Sequence, residues 1–348
     1  MSSTNQHAAA TLESKGSPLT VVSRPTPTPG PNEVLVDVKA VALNPIDCYM
    51  RDFGFMINSY PAVVGSDIGG TIVAVGPSVS FKPGTRVAAF APTFFVQGVP
   101  DYGAFQAKAL IPATNVTTVP DNVSFNEASL LGMSVVTAWS GWYTAGLPLQ
   151  DNLYTPADKK GVLVWGGASS IGTGAIQSAK MLGFTVYTTA SPKHHAYLKT
   201  LGATATFDYK DENAVTKIVQ TAKGDGIDLR IAFDAAGQVR SCLDILKEFK
   251  NAGAGRTTPQ LATAVAMSDH TPQEDGVEVK FVAAPTDERA RTEFFAFVMN
   301  RWLRGKLENG EYRPSPGIKV VEGGLEGLNR GLDELKGGVS GTKLVVEV

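Results

Sequence analysis

Gly161–Gly183 reads GVLVWGGASSIGTGAIQSAKMLG, and this stretch decides the fold. Gly161–Trp165 is an apolar run of strand length that enters a Gly/Ser turn without a break. A helix is expected from Gly172 to Leu182, closing at Gly183. A strand that feeds a glycine turn and then a helix aims free N–H groups and the positive end of the helix dipole at one point, which suits a diphosphate. Gly167 and Gly172 hold the outer positions of a G-x-G-x-x-G pattern, with Ser169 in place of the middle glycine. Ala168, Ser169, Ser170 and Ile171 fill the turn between them and are expected to contact a dinucleotide with them. A tight strand-to-helix turn with no ligand is the plainer alternative.

Towards the C-terminus, strands and helices alternate. Strands are expected at Thr185–Thr189, Thr204–Phe207, Leu229–Phe233, Leu261–Ala266 and Val279–Val282, and helices at His194–Leu201, Glu212–Lys223 and Val239–Phe249, with a loop over Asn251–Pro259. Such alternation makes an α/β fold, a Rossmann-type doubly wound parallel sheet covered by helices on both faces. Towards the N-terminus a helix is expected over Asn126–Trp139. Before it, from Pro25 to about Val119, short apolar runs are cut by Pro and Gly. Val34, Val36 and Val38 alternate with Leu35, Asp37 and Lys39 as in a half-buried strand, and Pro-Gly pairs mark turns. This texture predicts a small barrel-like β domain. The first fifteen residues read as a loose tail, and a long helix over Thr292–Leu307 and a strand over Lys343–Val348 end the chain.

The choice of dinucleotide is read at the end of the second strand of the sheet, where an NAD enzyme offers an acid to the ribose hydroxyls. Here the chain continues Ala190-Ser191-Pro192-Lys193, and the nearest downstream acid is Asp208. Ser191 can donate to a 2′-phosphate and Lys193 can balance its charge, so NADP is expected; alternatively Lys193 is a solvated lysine at a helix start.

Composition sets the frame. At 348 residues, with 43% hydrophobic and 18% charged residues, the chain suits about two globular domains. A net charge of −2 shows no electrostatic footprint for nucleic acid or an anionic membrane. The opening MSSTNQHAAATLESKG shows no signal-peptide pattern, and only Cys48 and Cys242 are present, so a reducing, cytoplasmic setting is expected.

Several segments together resemble the medium-chain dehydrogenase/reductase superfamily. They are VALNPIDCYMRDFG (41–54), YPAVVGSDIGGTIVAVGPSVSFKPGTRV (60–87), the GGASSIG turn, TTASPKHHAYLKTLGA (188–203) with FDYKD (207–211), and VSGTKLVV (339–346). They are most similar to its zinc-lacking quinone oxidoreductases and fungal trans-acting enoyl reductases. The resemblance implies a GroES-like β-rich catalytic domain over 1–125 and 293–348, with an inserted Rossmann NADP-binding domain over 126–292. In zinc alcohol dehydrogenases of that superfamily a cysteine and a histidine hold the catalytic metal. The matching positions here are Asn44 and Ser66, neither a usual zinc ligand. Cys48 has no plausible histidine partner among His7, His194, His195 and His270: His7 lies in the tail, and His194 and His195 stand beside the expected cofactor phosphate. No metal site is expected.

Without a Lewis acid, a conjugated double bond or a quinone is an easier hydride acceptor than a plain carbonyl. The resemblance and this chemistry imply an NADPH-dependent, zinc-independent reductase of an activated C=C bond, as in an enone or enoyl thioester, or of a quinone. A zinc-free ketone or alcohol dehydrogenase and a non-enzymatic NADPH-binding protein are the alternatives. The expected partner is a small-molecule or carrier-bound unsaturated substrate, with neither nucleic acid nor membrane, the chain acting as a monomer or homodimer.

The resemblance places Asn44, Asp47 and Tyr49 beside the nicotinamide. Tyr49 either donates to the developing enolate or is a packed tyrosine with a satisfied hydroxyl. Lysine is common there among the fungal trans-acting enoyl reductases, so the tyrosine leans towards quinone-oxidoreductase-like enzymes. Thr137 resembles a threonine near the nicotinamide, or is a helix threonine bonded to its own backbone. Tyr209 is expected beside the adenosine, Ala235-Ala236-Gly237 along the ribose, Phe281 and Val282 at the carboxyl edge of the sheet, and Ser340 and Lys343 closing over the cofactor. Phe53, Phe55, Phe94 and Phe95 either line an apolar substrate cleft or belong to ordinary core.

Overall fold

The computed structural model describes residues 5–250 and 257–348. The chain divides into two compact units, Met1–Met133 with Phe295–Val348, and Ser134–Phe294.

In the second unit six parallel strands lie in the order Ala205–Phe207, Thr185–Thr189, Lys160–Trp165, Asp228–Asp234, Gln260–Thr263 and Glu278–Phe281. The chain runs outward one way from Lys160–Trp165 and then returns to its other side, so the topological switch point lies at that strand's carboxyl end. Val162, Leu163 and Val164 are wholly buried, as a central strand covered on both faces requires. Helix Leu131–Thr144 packs closely on this layer because its small residues admit neighbours: a Cβ on Gly141 would come within 2.4 Å of the Phe233 ring. Trp142, wholly buried, donates its indole N–H to Ser178 Oγ at 2.8 Å, satisfying the one polar atom it carries inward.

The first unit is built on the strand Glu33–Ala42. Antiparallel partners Asp67–Val75, Lys108–Pro112 and Thr342–Glu347 pair with it along different parts of its length. Arg86–Phe90, Val116–Thr118 and Gly317–Val320 complete this β-rich body. Val34, Val36 and Val38 enter one apolar core, as their alternation predicts, while Lys39 faces solvent. Leu35 is buried too, because the strand is covered on both sides.

Three expectations are corrected. The opening residues are not a loose tail: Gln6–Leu12 is a strand paired with Leu19–Pro25, and Ala9, Ala10 and Leu12 are wholly buried. His7 is buried with them, its Nε2 2.9 Å from Gln106 Oε1, and burial holds its imidazole pKa below the usual value. The helix expected over Asn126–Trp139 is two helices, Phe125–Ala128 and Leu131–Thr144, the first capped by Ser124 accepting from the Glu127 N–H. The helix expected over Thr292–Leu307 starts at Glu288 and passes through a wider-wound π segment, Ala296–Leu303. The expected loop Asn251–Pro259 lies outside the described residues up to position 256. Among the described residues no helix is long and apolar enough to cross a membrane.

Candidate active site

At the switch point, Gly166 adopts φ +85°, a conformation that favours glycine, and turns the chain out of the strand. A Cβ on Gly167 would meet Thr188 Oγ1 at 2.1 Å, and one on Gly172 would meet the Gly166 carbonyl at 2.3 Å. Both outer glycines of the pattern are therefore required by close approach. Ser169 explains the missing middle glycine: it caps helix Ser170–Met181, its Oγ accepting from the Gly172 N–H at 3.0 Å and donating to the Gly166 carbonyl at 2.8 Å. The Thr173 N–H goes to the Ser169 carbonyl at 2.9 Å. Ser170 and Ile171 then carry the first helical N–H groups, which have no carbonyl behind them in the helix. Ser170 Oγ is buried and unpaired among the described residues. An orphaned hydroxyl, two free N–H groups and the positive end of a helix dipole occur together at this helix start, with no negative side chain in the turn. This donor set fits the diphosphate of a dinucleotide.

The neighbouring strand ends carry the other expected contacts. The Ala190 N–H donates to the Phe207 carbonyl at 3.0 Å, which lays the loops after Thr185–Thr189 and Ala205–Phe207 side by side. Half-buried Ser191 and exposed Lys193 stand on the first loop, exposed Tyr209 on the second. His195 is engaged locally, its Nε2 2.9 Å from the Ala190 carbonyl. Across the switch point, buried Asp234 accepts from the N–H groups of Ala236 and Gln238, both at 3.0 Å, and so shapes the turn Ala235-Ala236-Gly237, whose last two residues are exposed. Phe281 is exposed and Val282 buried at the same carboxyl edge. Thr137 lies half-buried on its helix, and among the described residues no bond ties its hydroxyl to that helix's backbone. Within this unit the expected cofactor contacts thus share one edge of one sheet.

The first unit brings together a second group. Asn44 precedes helix Pro45–Phe53, with Pro45 as its first residue; this end suits proline, whose missing N–H would have no partner there anyway. The Asn44 N–H donates to Asp47 Oδ2 at 2.8 Å, and Asn44 Nδ2 donates to Asp67 Oδ2 at 2.9 Å. Lys343 Nζ donates to Asn44 Oδ1 at 2.5 Å and lies 3.4 Å from Asp67 Oδ2. Asp67 Oδ1 accepts from the Met133 N–H at 2.5 Å, an approach that Gly132 permits by having no side chain. Asp47, Asp67 and Ser66 are wholly buried, and Asp47 Oδ1 and Ser66 Oγ have no partner among the described residues. Burial pushes the Asp47 carboxyl up to about 7, against the opposing Asn44 N–H. Burial also raises Asp67, against the Lys343 ammonium.

Tyr49 is on the opposite, solvent-facing side of the same helix, 53% exposed, its ring tilted against Phe53 at 6.3 Å between centroids. The four phenylalanines part company. Phe53 and Phe55 are exposed, whereas the Phe94 and Phe95 rings lie tilted against each other at 4.6 Å between centroids and pack with Phe90 and Phe295. Ser340 is exposed before the last strand, and Lys343 is buried beneath Asn44 rather than presented at the surface. Sequence reasoning missed Asp67; its signal was an acid opening the apolar strand Asp67–Val75 directly after Ser66. Among the described residues no cluster of His, Cys, Asp and Glu is placed to hold a metal ion.

Residues 30–121 match the family described as "Alcohol dehydrogenase GroES-like domain" and residues 170–253 the family described as "Zinc-binding dehydrogenase". A protein named "Trans-enoyl reductase tndF", from Aspergillus flavipes, is 46% identical over 345 residues, 98% of this chain and 99% of its own length. The chain belongs to the medium-chain dehydrogenase/reductase superfamily. Within that superfamily it groups with the fungal trans-enoyl reductases: "Trans-enoyl reductase tazE" from Aspergillus terreus is 48% identical, covering 83% of this chain and 96% of its own. A solved alcohol dehydrogenase superfamily protein from Novosphingobium aromaticivorans shares the fold, with a TM-score of 0.77 at 22% identity over 98% of this chain and 99% of its own. As a superfamily member the chain is an oxidoreductase that uses a nicotinamide cofactor. Tyr49 alone leans towards the quinone oxidoreductases, whereas similarity along the whole chain runs to proteins named trans-enoyl reductases.

Proposed function

We propose that this protein is an NADPH-dependent, zinc-independent enoyl reductase acting on an activated C=C bond, free or carrier-bound, as in an enoyl thioester or enone. The observation that carries the reading is the dinucleotide turn, whose unpaired Ser170 hydroxyl and free helix N–H groups stand beside a strand end bearing Ser191 and Lys193 where an acid would select NAD. The names of the two fungal relatives support the enoyl acceptor.

NADPH supplies the hydride when bound. Gly167–Gly172 would hold its diphosphate, Ser191 and Lys193 its 2′-phosphate and Tyr209 its adenosine, with Ala236 and Phe281 at the same carboxyl edge of the sheet. Tyr49 donates to the oxygen on which charge builds, and Thr137 is the hydroxyl that its own unit would offer near the nicotinamide. Asn44 and Asp47 fix the first turn of the Tyr49 helix. Zinc independence rests on the donor set. Asn44 has both ends of its carboxamide engaged, Ser66 is a poor zinc ligand, and burial pushes the Cys48 thiol up to about 12, away from the thiolate that zinc needs.

Side-by-side assays with an enone, an enoyl thioester, a quinone and a simple ketone, each with NADPH and NADH, test the proposal. Turnover of the ketone alone, or of no acceptor while NADPH still binds, rejects it. Lys193→Ala is expected to narrow the NADPH-over-NADH preference by about 1–3 kcal/mol, the range for a hydrogen bond to a charged group; equal affinities in the parent overturn the cofactor assignment. Prolonged EDTA treatment is expected to leave activity intact, with zinc well below stoichiometric by elemental analysis. Stoichiometric zinc whose removal abolishes activity contradicts the metal-free reading.

A further inference from the structure

Lys343 is a charged side chain where charge is expensive. It is 4% exposed, on the strand Thr342–Glu347, whose pairing with Glu33–Ala42 is continued by the Leu43 N–H donating to the Leu344 carbonyl at 2.9 Å. That register lays Lys343 against Asn44. A buried ammonium persists only where acceptors compensate its lost hydration, and here they are Asn44 Oδ1 and Asp67 Oδ2.

The bond has a directional consequence. With Oδ1 taken by the ammonium, the amide's NH2 end faces Asp67 and the Ala42 carbonyl, so neither end of Asn44 is free to turn. Asn44 is also the residue from which helix Pro45–Phe53 springs, and its N–H holds Asp47.

We infer that Lys343 is a positioning residue: its buried ammonium holds Asn44 and Asp67 and, through them, fixes the start of the helix that carries Tyr49, rather than reaching the cofactor. The inference rests on the hydride-transfer reading above for its kinetic arm only. The groups around the ammonium are few. Among the described residues, the helix brings Asp47 and the strand Asp67–Val75 brings Asp67. Lys343 is the cation that opposes the upward push of burial on both Asp47 and Asp67. Removing its charge therefore makes both carboxyls hold their protons to higher pH, so the folded protein loses more stability as pH rises.

Lys343→Met keeps the unbranched apolar stem, one atom shorter, and removes the charge, and Lys343→Arg keeps the charge. Asp67→Asn combined with Lys343→Met removes both members of the ion pair. Lys343→Met is expected to slow single-turnover hydride transfer to an enoyl thioester by about tenfold or more, with NADPH affinity, read by cofactor fluorescence, within about threefold of the parent. Its thermal unfolding midpoint falls more steeply than the parent's between about pH 6 and 9. Lys343→Arg keeps the parental pH dependence of unfolding. The double variant, having lost the Asp67 carboxyl as well, is no steeper than the parent with pH, yet it does not recover the rate, because nothing then holds Asn44 Oδ1.

A drop of about tenfold in NADPH affinity in Lys343→Met, with the rate at saturating NADPH unchanged, overturns the inference in favour of a cofactor contact. A parental rate in either Met variant overturns it as well. If Lys343→Met alone does not fold, the double variant decides by the same rate. If the parent transfers hydride to no acceptor, the function proposal fails by itself, and the unfolding profiles still judge Lys343: identical pH dependence in Lys343→Met and parent rejects its role.

Discussion

Tyr49→Phe is expected to slow single-turnover hydride transfer to an enone by about a hundredfold or more while NADPH affinity stays nearly unchanged. Tyr49 sits on the open face of a helix whose other face is fixed. Arg51 donates to Asp333 at 2.6 Å, Asp47 is locked to the Asn44 N–H, and Gly54 ends the helix at φ +64°. Among the described residues nothing bonds the Tyr49 hydroxyl, so phenylalanine gives up no internal hydrogen bond and keeps the ring contact with Phe53. What is lost is a donor to the developing enolate oxygen, which typically costs about 2.7–4 kcal/mol when it is a main oxyanion partner. If water or a ribose hydroxyl carries that charge instead, the rate stays within about threefold, under about 0.7 kcal/mol, and Tyr49 leaves the mechanism.

Asp47→Asn is expected to stabilise the protein at pH 8 and to flatten its stability between about pH 4 and 7. The folded-state pKa of Asp47 is about 7, raised from an ordinary 3.8 by complete burial. The native state therefore holds a proton that the unfolded chain gives up across that interval. The contribution of Asp47 is most favourable below about pH 4 and is lost as pH rises through 7, a difference on the order of 4 kcal/mol for one group. Asparagine keeps an acceptor for the Asn44 N–H but leaves an amide N–H2 where Oδ1 was unpaired, a cost of about 1–3 kcal/mol. A net gain of roughly 1–3 kcal/mol at pH 8 follows, by denaturant unfolding at pH 5, 7 and 8. Part of the slope persists through Asp67, whose pKa is also raised. Parallel pH profiles for parent and variant would sink this account.

Both residues fall in one nine-residue helix, yet they were legible to different degrees. The sequence alone decided whatever depends on neighbours in the chain. The strand–turn–helix at Gly161–Gly183 follows from side-chain volume and from contacts three residues apart, such as Ser169 with the Gly172 N–H. The parallel sheet follows from the alternation of such units, and the β-rich unit from Val34, Val36 and Val38 with their turns. The absent acid after Thr185–Thr189 is likewise a local fact.

Tertiary structure decided what depends on partners far apart. Lys343 and Asn44 are 299 positions apart and Asn44 and Asp67 are 23, so only the pairing of three strands makes them a cluster. The opening strand is polar enough to read as a tail. It is buried because backbone bonds at 2.8 Å from Ala10 to Phe105 and from Leu12 to Ala62 enclose it. Local sterics act over a turn of chain and leave a pattern in the sequence. Desolvation of a charge depends on everything that folds around it, so the raised carboxyl of Asp47 and the buried ammonium of Lys343 could be known only from the folded chain.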